Sequence, residues 1–346
     1  MDFKSNTWTN RRSPTMSPTV PVTLLFSDGV AHRLDVPCGR KIVEAASEAG
    51  LNLLTDCSNG QCGTCTAQLL SGTVEMEDYD AAVLPDEDRD ADAVLPCVCR
   101  VTSACAVEFP YESTEALSEE APPIPGEVVG VHQVASETVL LEISVPEGIQ
   151  FEPGQYVRIH PEGTDFHRSY SMANMPGSDR LEFFVRLVPD GAFSGWLADA
   201  KAGDKVELSV PHGTFFLRDE DRPRLFVAGG TGVAPFLSML RSMGEKARAQ
   251  PTTVLIGART PGHLFALDEL ESLRQALPHV QVKLAVEQEA SGDCHHGYAT
   301  DLIAGLGLAP TTRVYLCGPP PMVEAGRKAA ETAGLPRQDV LCERFA

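Results

Sequence analysis

The sequence predicts a multidomain protein: a small α+β domain, then an antiparallel β-barrel, then an α/β domain built on a parallel sheet. Three observations carry this expectation. Seven of the ten cysteines fall between Cys38 and Cys105, short β-rich runs broken by Pro-Gly turns fill the middle of the chain, and apolar strands alternate with helix-length segments from Pro223 onward. The 346 residues are enough for two or three separate cores.

In chain order, residues 1–19 (MDFKSNTWTNRRSPTMSPT) are polar and rich in Ser, Thr, Asn and Pro, the composition of a disordered leader. A hairpin is expected over 20–26 and 30–36 with Asp28-Gly29 at its turn, followed by an amphipathic helix near 41–49 capped by Gly50. These open a first domain over residues 20–112. Residues 112–126 (ESTEALSEEAPPIPG) hold four glutamates and three prolines without periodicity, so an exposed linker is expected over 113–125. Strands at 128–134, 139–145, 156–159 and 181–187, punctuated by Pro153-Gly154, Pro189-Asp190-Gly191 and Pro211-His212-Gly213, read as the barrel over 126–222. Strands at 225–228, 253–256, 282–286 and 314–317 read as the parallel sheet of a last domain over 223–346.

Charge narrows the function classes. With 48 acidic against 28 basic side chains the formal charge is −20, which repels phosphate backbones and argues against nucleic acid or an anionic membrane as partner. A partner with a basic docking face fits better, and a monomer is expected. The apolar, uncharged run over residues 225–240 has 16 residues and is interrupted by Gly229, Gly230, Gly232 and Pro235, so no membrane span is expected. No sustained apolar segment follows Arg11-Arg12, so the cytoplasm is the expected compartment, where clustered cysteines point to metal rather than disulfides.

In DCSNGQCGTC, Cys57, Cys62 and Cys65 have the spacing C-x4-C-x2-C, and Cys97 follows in LPCVCRVTS. This is the ligand pattern of a plant-type 2Fe-2S cluster. A zinc site is the alternative, but structural zinc usually takes two short Cys/His pairs. Gly60 and Gly63 let a loop wrap closely and aim N–H groups at a net-negative cluster. Cys99 competes with Cys97 for the fourth position. Cys38, Cys105, Cys294 and Cys342 have no ligand spacing and read as packing residues.

Two Gly-containing turns mark the last domain. AGGTGVAPFLSML (228–240) follows a strand and opens a helix, so Gly229, Gly230, Thr231 and Gly232 can bring backbone N–H groups close to a pyrophosphate. Pro235 stands where G-x-G-x-x-G would have its third glycine, a departure from the plain Rossmann fingerprint, though a proline suits a first helical turn. A mere packing turn is the alternative. LCGPPPM, with Cys317, Gly318 and Pro319, again closes a strand and opens a helix. His295-His296 lie in a stretch that reads as a surface loop. The absence of Walker, HExxH and nucleophile-elbow motifs leaves NTPase and hydrolase readings without support.

In HRSYSMAN (167–174), Arg168-Ser169-Tyr170-Ser171 resembles the R-x-Y-S signature of the ferredoxin–NADP reductase-like flavoproteins, and PGQYV, RLVPDGAFS and PHGTF resemble that family's barrel in the same order. The resemblance implies FAD. Arg168 would hold its phosphate, Tyr170 would cover the flavin ring, and the Ser171 hydroxyl would lie near flavin N5, where hydride arrives. On a strand, Arg168 and Tyr170 share one face and Ser171 the other. Arg186 lies in the same barrel segment, and Gly191 and Ser194 start an expected helix over 192–198 whose N–H groups favour a phosphate. LCGPPPM resembles the nicotinamide-binding CGP-x-PM segment, with Cys317 beside the hydride path. The tail CERFA resembles the segment that approaches the flavin, with Glu343 and Phe345 as contacts; a frayed end with a tucked Phe is the alternative.

From residue 20 onward the order of these parts resembles the reductase component of Rieske non-haem iron aromatic-ring dioxygenases, benzoate/anthranilate type. Residues 1–19 and 287–297 depart most from it. The resemblance implies a ferredoxin (β-grasp) domain, selects Cys97 because it lies five residues before Thr102-Ser103, and implies electron passage from NADH to FAD to the cluster to a Rieske-type terminal oxygenase. Transfer would run downhill, from about −400 mV for a plant-type cluster to about −150 mV or higher for a Rieske centre. The same architecture serving a soluble di-iron monooxygenase, or a non-catalytic redox carrier, are the alternatives. NADH is expected over NADPH because GARTPGHLFALDEL offers only Arg259, beside Asp268 and Glu269, to grip a 2′-phosphate. Residues 20–112 hold 16 acids against 5 bases, nine of the acids within 75–92, which suggests an acidic docking face.

Overall fold

The computed structural model describes residues 18–345 except 56–57, 61–62, 80, 82, 118–121, 214, 219 and 291, so residues 1–17 of the expected leader, and Cys57 and Cys62, lie outside the described residues. The chain divides into two compact units, Met1–Ser118 and Glu119–Ala346.

In the first unit, Gly29 takes a left-handed φ of 82° and turns the Thr19–Phe26 strand back onto Ala31–Pro37. The first strand therefore begins at Thr19, inside the stretch expected to be leader. The Ile42–Glu48 helix buries Ile42, Ala45 and Ala46, spaced to share one face. Cys105–Phe109 runs parallel to Thr19–Phe26, and Ala67–Ser71 and Ala93–Val94 complete a five-stranded mixed sheet. That arrangement is the β-grasp pattern. The sheet packs Val22, Leu24, Phe26, Val107 and Phe109 against the helix, with the Phe26 and Phe109 rings stacked at 5.4 Å.

The expected linker is shorter than its composition suggests. Residues Ser113–Leu117 form a helical turn whose Ala116 is fully buried in the first unit's core. Ser113 donates to Asp28 Oδ2 from its N–H at 3.1 Å and from its hydroxyl at 2.6 Å. One buried methyl, the Asp28 carboxylate and the Asn52 N–H, which donates to Ala116 O at 2.8 Å, hold the turn, too little for a hydrophobic period to reveal. The Ile124–Ala135 strand then begins within the Pro-rich end of the same stretch.

The second unit opens with a six-stranded antiparallel sheet in the order Arg168–Ser171, Tyr156–Pro161, Lys205–Leu208, Ile124–Ala135, Thr138–Ser144, Arg180–Arg186. Its edges meet just past Ser171, where Ala173 N–H donates to Glu182 O at 2.9 Å and Glu182 N–H to Asn174 Oδ1 at 3.0 Å, closing a barrel. Leu141, Ile143, Val157, Ile159, Leu181 and Phe183 fill its interior.

A parallel sheet follows, ordered His295–His296, Val280–Val286, Thr252–Ala258, Arg224–Gly229, Arg313–Gly318, Val340–Arg344. The uncharged run finds its reason here. The Arg224–Gly229 strand is central, and the Val233–Arg241 helix buries every residue from Val233 to Leu240. Among the described residues no helix is long and apolar enough to cross a membrane.

Candidate functional site

Two of the four expected cluster ligands are described. Cys65 and Cys97 are 3% and 4% exposed and belong to one small apolar cluster with Val83, Leu84, Leu95 and Val98. Cys99 is fully buried, yet it belongs to the main sheet-and-helix core, on a short strand where it pairs with Met76. Cys97 lies in the turn ahead of that strand, where Val98 N–H donates to Leu95 O at 2.9 Å, and the change of backbone direction sends the two thiols into different clusters. Gly60 has φ 78°, and a Cβ there would come within 2.6 Å of Tyr79 Cβ, so the loop between the cysteines needs glycine at this position. Two buried thiol donors, Cys65 on the glycine-containing loop and Cys97 in a separate turn, brought into one apolar cluster, fit a 2Fe-2S centre. Val83 and Leu84 lead directly into the Asp86–Asp90 helix, which buries none of its residues. Exposed Glu75, Asp78, Asp86, Glu87, Asp90 and Asp92 therefore lie close along the chain to residues packed with Cys65 and Cys97. Cys105 is buried, while Cys38, Cys294 and Cys342 are half-buried.

In the second unit, the register of the Arg168–Ser171 strand sorts its side chains as expected. Tyr170 and Arg168 lie opposite buried Val157 and Ile159, whereas Ser171 lies opposite Tyr156. Arg168 is exposed, with Nη1 donating to His167 O at 2.7 Å. The Tyr170 ring packs on Phe193 at 4.9 Å, and burial pushes its hydroxyl above the ordinary phenol range. Gly191 caps the Ala192–Asp199 helix with its N–H on Val188 O at 3.1 Å, and Ser194 Oγ accepts from Val188 N–H at 2.8 Å. These two groups close the turn themselves, and the Ser194 hydroxyl keeps a proton to donate. Arg186 is exposed at the end of its strand.

The two Gly-containing turns converge at the carboxyl ends of adjacent parallel strands. A Cβ on Gly232 would stand 2.1 Å from Cys317 O, one on Gly229 would stand 2.7 Å from Met322 Sδ, and one on Gly318 would stand 3.1 Å from Gly229 N. Only bare backbone permits this approach. Thr231 sits in the 3-10 turn Gly230–Gly232 that enters the helix, and Pro319 caps the Pro320–Thr332 helix. A crevice at the carboxyl ends of parallel strands, opening on helix N-termini, fits a dinucleotide.

The tail is not frayed. Val340–Arg344 adds a parallel strand beside Arg313–Gly318, which sets Glu343 opposite Cys317, and Phe345 N–H reaches Gly318 O at 3.3 Å. Phe345 packs against the domain core. This register brings Glu343 Oε2 to 3.1 Å from Ser171 Oγ and 3.7 Å from Cys317 Sγ. Serine from the barrel, cysteine from the crevice and glutamate from the last strand thus share one carboxylate. Burial, followed by the Glu343 charge, pushes the Cys317 thiol well above its usual range, so it stays protonated and donates to that carboxylate. Gly213 flanks the same group: a Cβ there would lie 3.1 Å from the Tyr156 ring and 3.8 Å from Glu343 Oε1. A flat ring system fits a cradle kept open by a glycine. His212 beside it is held down to about 4 by burial and then by Arg158, and so is neutral near pH 7.

Sequence reasoning missed the groups that join barrel and sheet. Arg241, at the end of the Val233–Arg241 helix, donates to Ala173 O at 2.7 Å and to Glu182 Oε2 at 2.8 Å, and pairs with Glu269 Oε1 at 2.6 Å. Ser238 Oγ donates to Asn174 O at 2.7 Å. Its one signal was a serine inside an otherwise apolar helix.

Residues 25–102 match the family described as 2Fe-2S iron-sulfur cluster binding domain, 125–217 the oxidoreductase FAD-binding domain, and 226–328 the oxidoreductase NAD-binding domain. Over 326 residues the chain is 33% identical to the toluate 1,2-dioxygenase electron transfer component of Pseudomonas putida, covering 93% of this chain and 97% of that one. It is 34% identical to the propane 2-monooxygenase reductase component of Mycolicibacterium goodii, covering 90% and 94%. Among solved structures, the Amycolatopsis cytochrome P450 reductase GcoB superposes with TM-score 0.69 at 29% identity, covering 94% of this chain and 98% of that one. The ferredoxin reductase in carbazole 1,9a-dioxygenase superposes with TM-score 0.65 at 25% identity, covering 95% and 99%. The three matched domains lie in the order of the three units of the sequence, and the protein belongs to the family of NADH-dependent iron–sulfur flavoprotein reductases that carry a 2Fe-2S ferredoxin domain ahead of FAD-binding and NAD-binding domains.

Proposed function

We propose that the protein is the electron transfer component of an aromatic-ring-hydroxylating dioxygenase, moving electrons from NADH through FAD and the 2Fe-2S cluster to the Rieske centre of a terminal oxygenase. One observation carries the reading: Ser171, Cys317 and Glu343, from three separate elements, form one hydrogen-bonded group beside the glycine crevice. When bound, NADH supplies a hydride, FAD turns that two-electron donor into single electrons, and the cluster carries them onward. The ferredoxin domain is assigned to residues 20–112, the flavin barrel to 126–222 and the nicotinamide domain to 223–346. Cys57, Cys62, Cys65 and Cys97 hold the cluster. Arg168 holds a flavin phosphate, with Arg186, Gly191 and Ser194 near it, and Tyr170 lies along the flavin. Gly229, Gly230, Thr231, Gly232, Gly318 and Pro319 admit the dinucleotide. Ser171 and Cys317 fix the Glu343 carboxylate, and Glu343 and Phe345 would be the tail's contacts to the flavin. With its thiol protonated, Cys317 serves as a hydrogen-bond donor rather than a nucleophile. The formal charge of −20 supports a monomer, and the cytoplasm is its proposed compartment.

Names among the relatives support the acceptor class: toluate, 2-halobenzoate and anthranilate 1,2-dioxygenase electron transfer components share 32–33% identity with the chain. A propane 2-monooxygenase reductase component is as similar, at 34%, which sustains a second reading with a monooxygenase as acceptor. Reconstitution with a purified Rieske dioxygenase and a purified di-iron monooxygenase separates the two. Product formation with the monooxygenase alone overturns the first reading.

Arg168→Ala removes a charge-assisted phosphate contact of about 1.5–3 kcal/mol, so FAD should bind roughly 10–100-fold more weakly in equilibrium dialysis. Ser171→Ala should keep FAD occupancy and slow anaerobic flavin reduction by NADH. An unchanged reduction rate removes Ser171 from the hydride site.

The acidic stretch beside the cluster loop supports steering onto a basic oxygenase face, an attraction screened over about 8–10 Å at 0.1–0.15 M salt. Transfer to the oxygenase should therefore slow steeply as ionic strength rises, while flavin reduction by NADH changes much less. Replacing Asp86, Glu87, Asp88 and Asp90 by their amides should lower both the transfer rate and its salt slope. A salt-insensitive second-order rate leaves the acids as a solubility feature only.

A further inference from the structure

The barrel hairpin between the Ile124–Ala135 and Thr138–Ser144 strands reaches the loop after the Thr252–Ala258 strand. Ser136 N–H donates to Gly262 O at 2.8 Å, and Glu137 follows at the turn with φ 59°. Glu137 Oε1 accepts from Arg259 Nη2 at 2.9 Å, and its other oxygen lies 3.9 Å from His263 Nε2. The same arginine nitrogen lies 2.7 Å from His263 Nε2. Arginine has no acceptor, so Nε2 accepts, and Nδ1 bears the proton it gives to Thr260 Oγ1 at 2.8 Å. Arg259 is thus held by a carboxylate from the barrel and an imidazole from its own loop.

Arg259 follows a strand that pairs with the glycine-loop strand, with Gly257 opposite Gly229. In sheets that bind dinucleotides, this region meets the adenosine ribose, where an acid accepts from the 2′-hydroxyl or an arginine accommodates a 2′-phosphate. Here the arginine is present, yet a carboxylate is attached to it. The geometry points to Glu137 as the residue that makes this reductase prefer NADH over NADPH: it occupies Arg259 and puts negative charge where a 2′-phosphate would bind. A 2′-hydroxyl can donate to a carboxylate, whereas a 2′-phosphate is repelled by it. Stability does not account for the pair, because both side chains are about half exposed, at 49% and 47%, where ion pairs contribute little. The inference rests on the NADH-dependent reading above.

Glu137→Gln keeps the size of the side chain and removes its charge. The ratio of kcat/KM for NADPH to that for NADH, read with ferricyanide, should rise about tenfold or more. In calorimetry 2′,5′-ADP should bind the variant about tenfold more tightly, with 5′-AMP within about twofold of the parent. Adding Arg259→Ala should abolish both gains. An unchanged ratio together with an unchanged 2′,5′-ADP affinity in Glu137→Gln overturns the proposal. If Glu137→Gln folds poorly, Glu137→Asn, which tolerates the left-handed turn, is held to the same two measurements. Failure of the parent protein to oxidise NADH at all would instead overturn the functional reading, and the 2′,5′-ADP binding arm would still report on Glu137.

Discussion

Cys97→Ser should strip the protein of its cluster, and Cys99→Ser, two residues away, should not. The two thiols are both buried, at 4% and 0% exposure, but they belong to different clusters: Cys97 packs with Cys65, and Cys99 packs among the strands and helix of the β-grasp core. In the first variant the visible absorption of the cluster should vanish or change grossly, and iron should fall well below about two per chain, the content of one 2Fe-2S centre. NADH–ferricyanide turnover, which needs only the FAD-binding and NAD-binding domains, should survive and so rule out general unfolding. In Cys99→Ser iron should stay near about two per chain, while the buried hydroxyl lowers stability by about 1–3 kcal/mol. Iron loss in Cys99→Ser with iron retained in Cys97→Ser reverses the ligand assignment.

Gly232→Ala should nearly abolish NADH-dependent reduction. The added Cβ would stand 2.1 Å from Cys317 O, a backbone atom of the neighbouring strand that no side-chain rotation can clear. Relief requires the glycine turn and the Cys317 turn to part by about 1 Å, and a displacement of that size near reacting groups costs about 10²-fold in rate. The overpacking itself should destabilise the protein by about 1–3 kcal/mol. Because Cys317 also donates to Glu343, the shift disturbs the carboxylate shared with Ser171. Flavin reduction by NADH should fall about a hundredfold with FAD occupancy retained. Gly305→Ala is the matched control, since a Cβ there meets nothing within 4 Å. Near-parental reduction by Gly232→Ala means that the crevice is not where the nicotinamide approaches.

Much of this is legible in the amino-acid sequence, for reasons specific to each segment. The cysteine spacing lies within one loop, so its chemistry is written locally, and the Asp28-Gly29 and AGGTG turns announce themselves because only certain residues tolerate their backbones. The alternation of strands and helices after Pro223 follows from burial on both faces of a parallel sheet, which needs continuous apolar runs. The order of the domains is readable for the same reason: each has its own period and its own turn chemistry. What the chain alone could not announce was whatever depends on two distant segments meeting. The Ser113–Leu117 turn is held by a buried alanine, by the Asn52 N–H and by Asp28, 85 residues before Ser113. The tail is too short to show a strand period, and Val340–Arg344 is a strand because Arg313–Gly318 offers an open edge; that register alone brings Glu343 to Ser171, 172 residues away. Arg259 looked like an arginine available for a 2′-phosphate, and its occupation by Glu137 came from the barrel packing its hairpin against the next domain's loop. Local chemistry is set by neighbours along the chain, whereas shared carboxylates and ion pairs are set by the register and packing of elements that only the tertiary fold brings together.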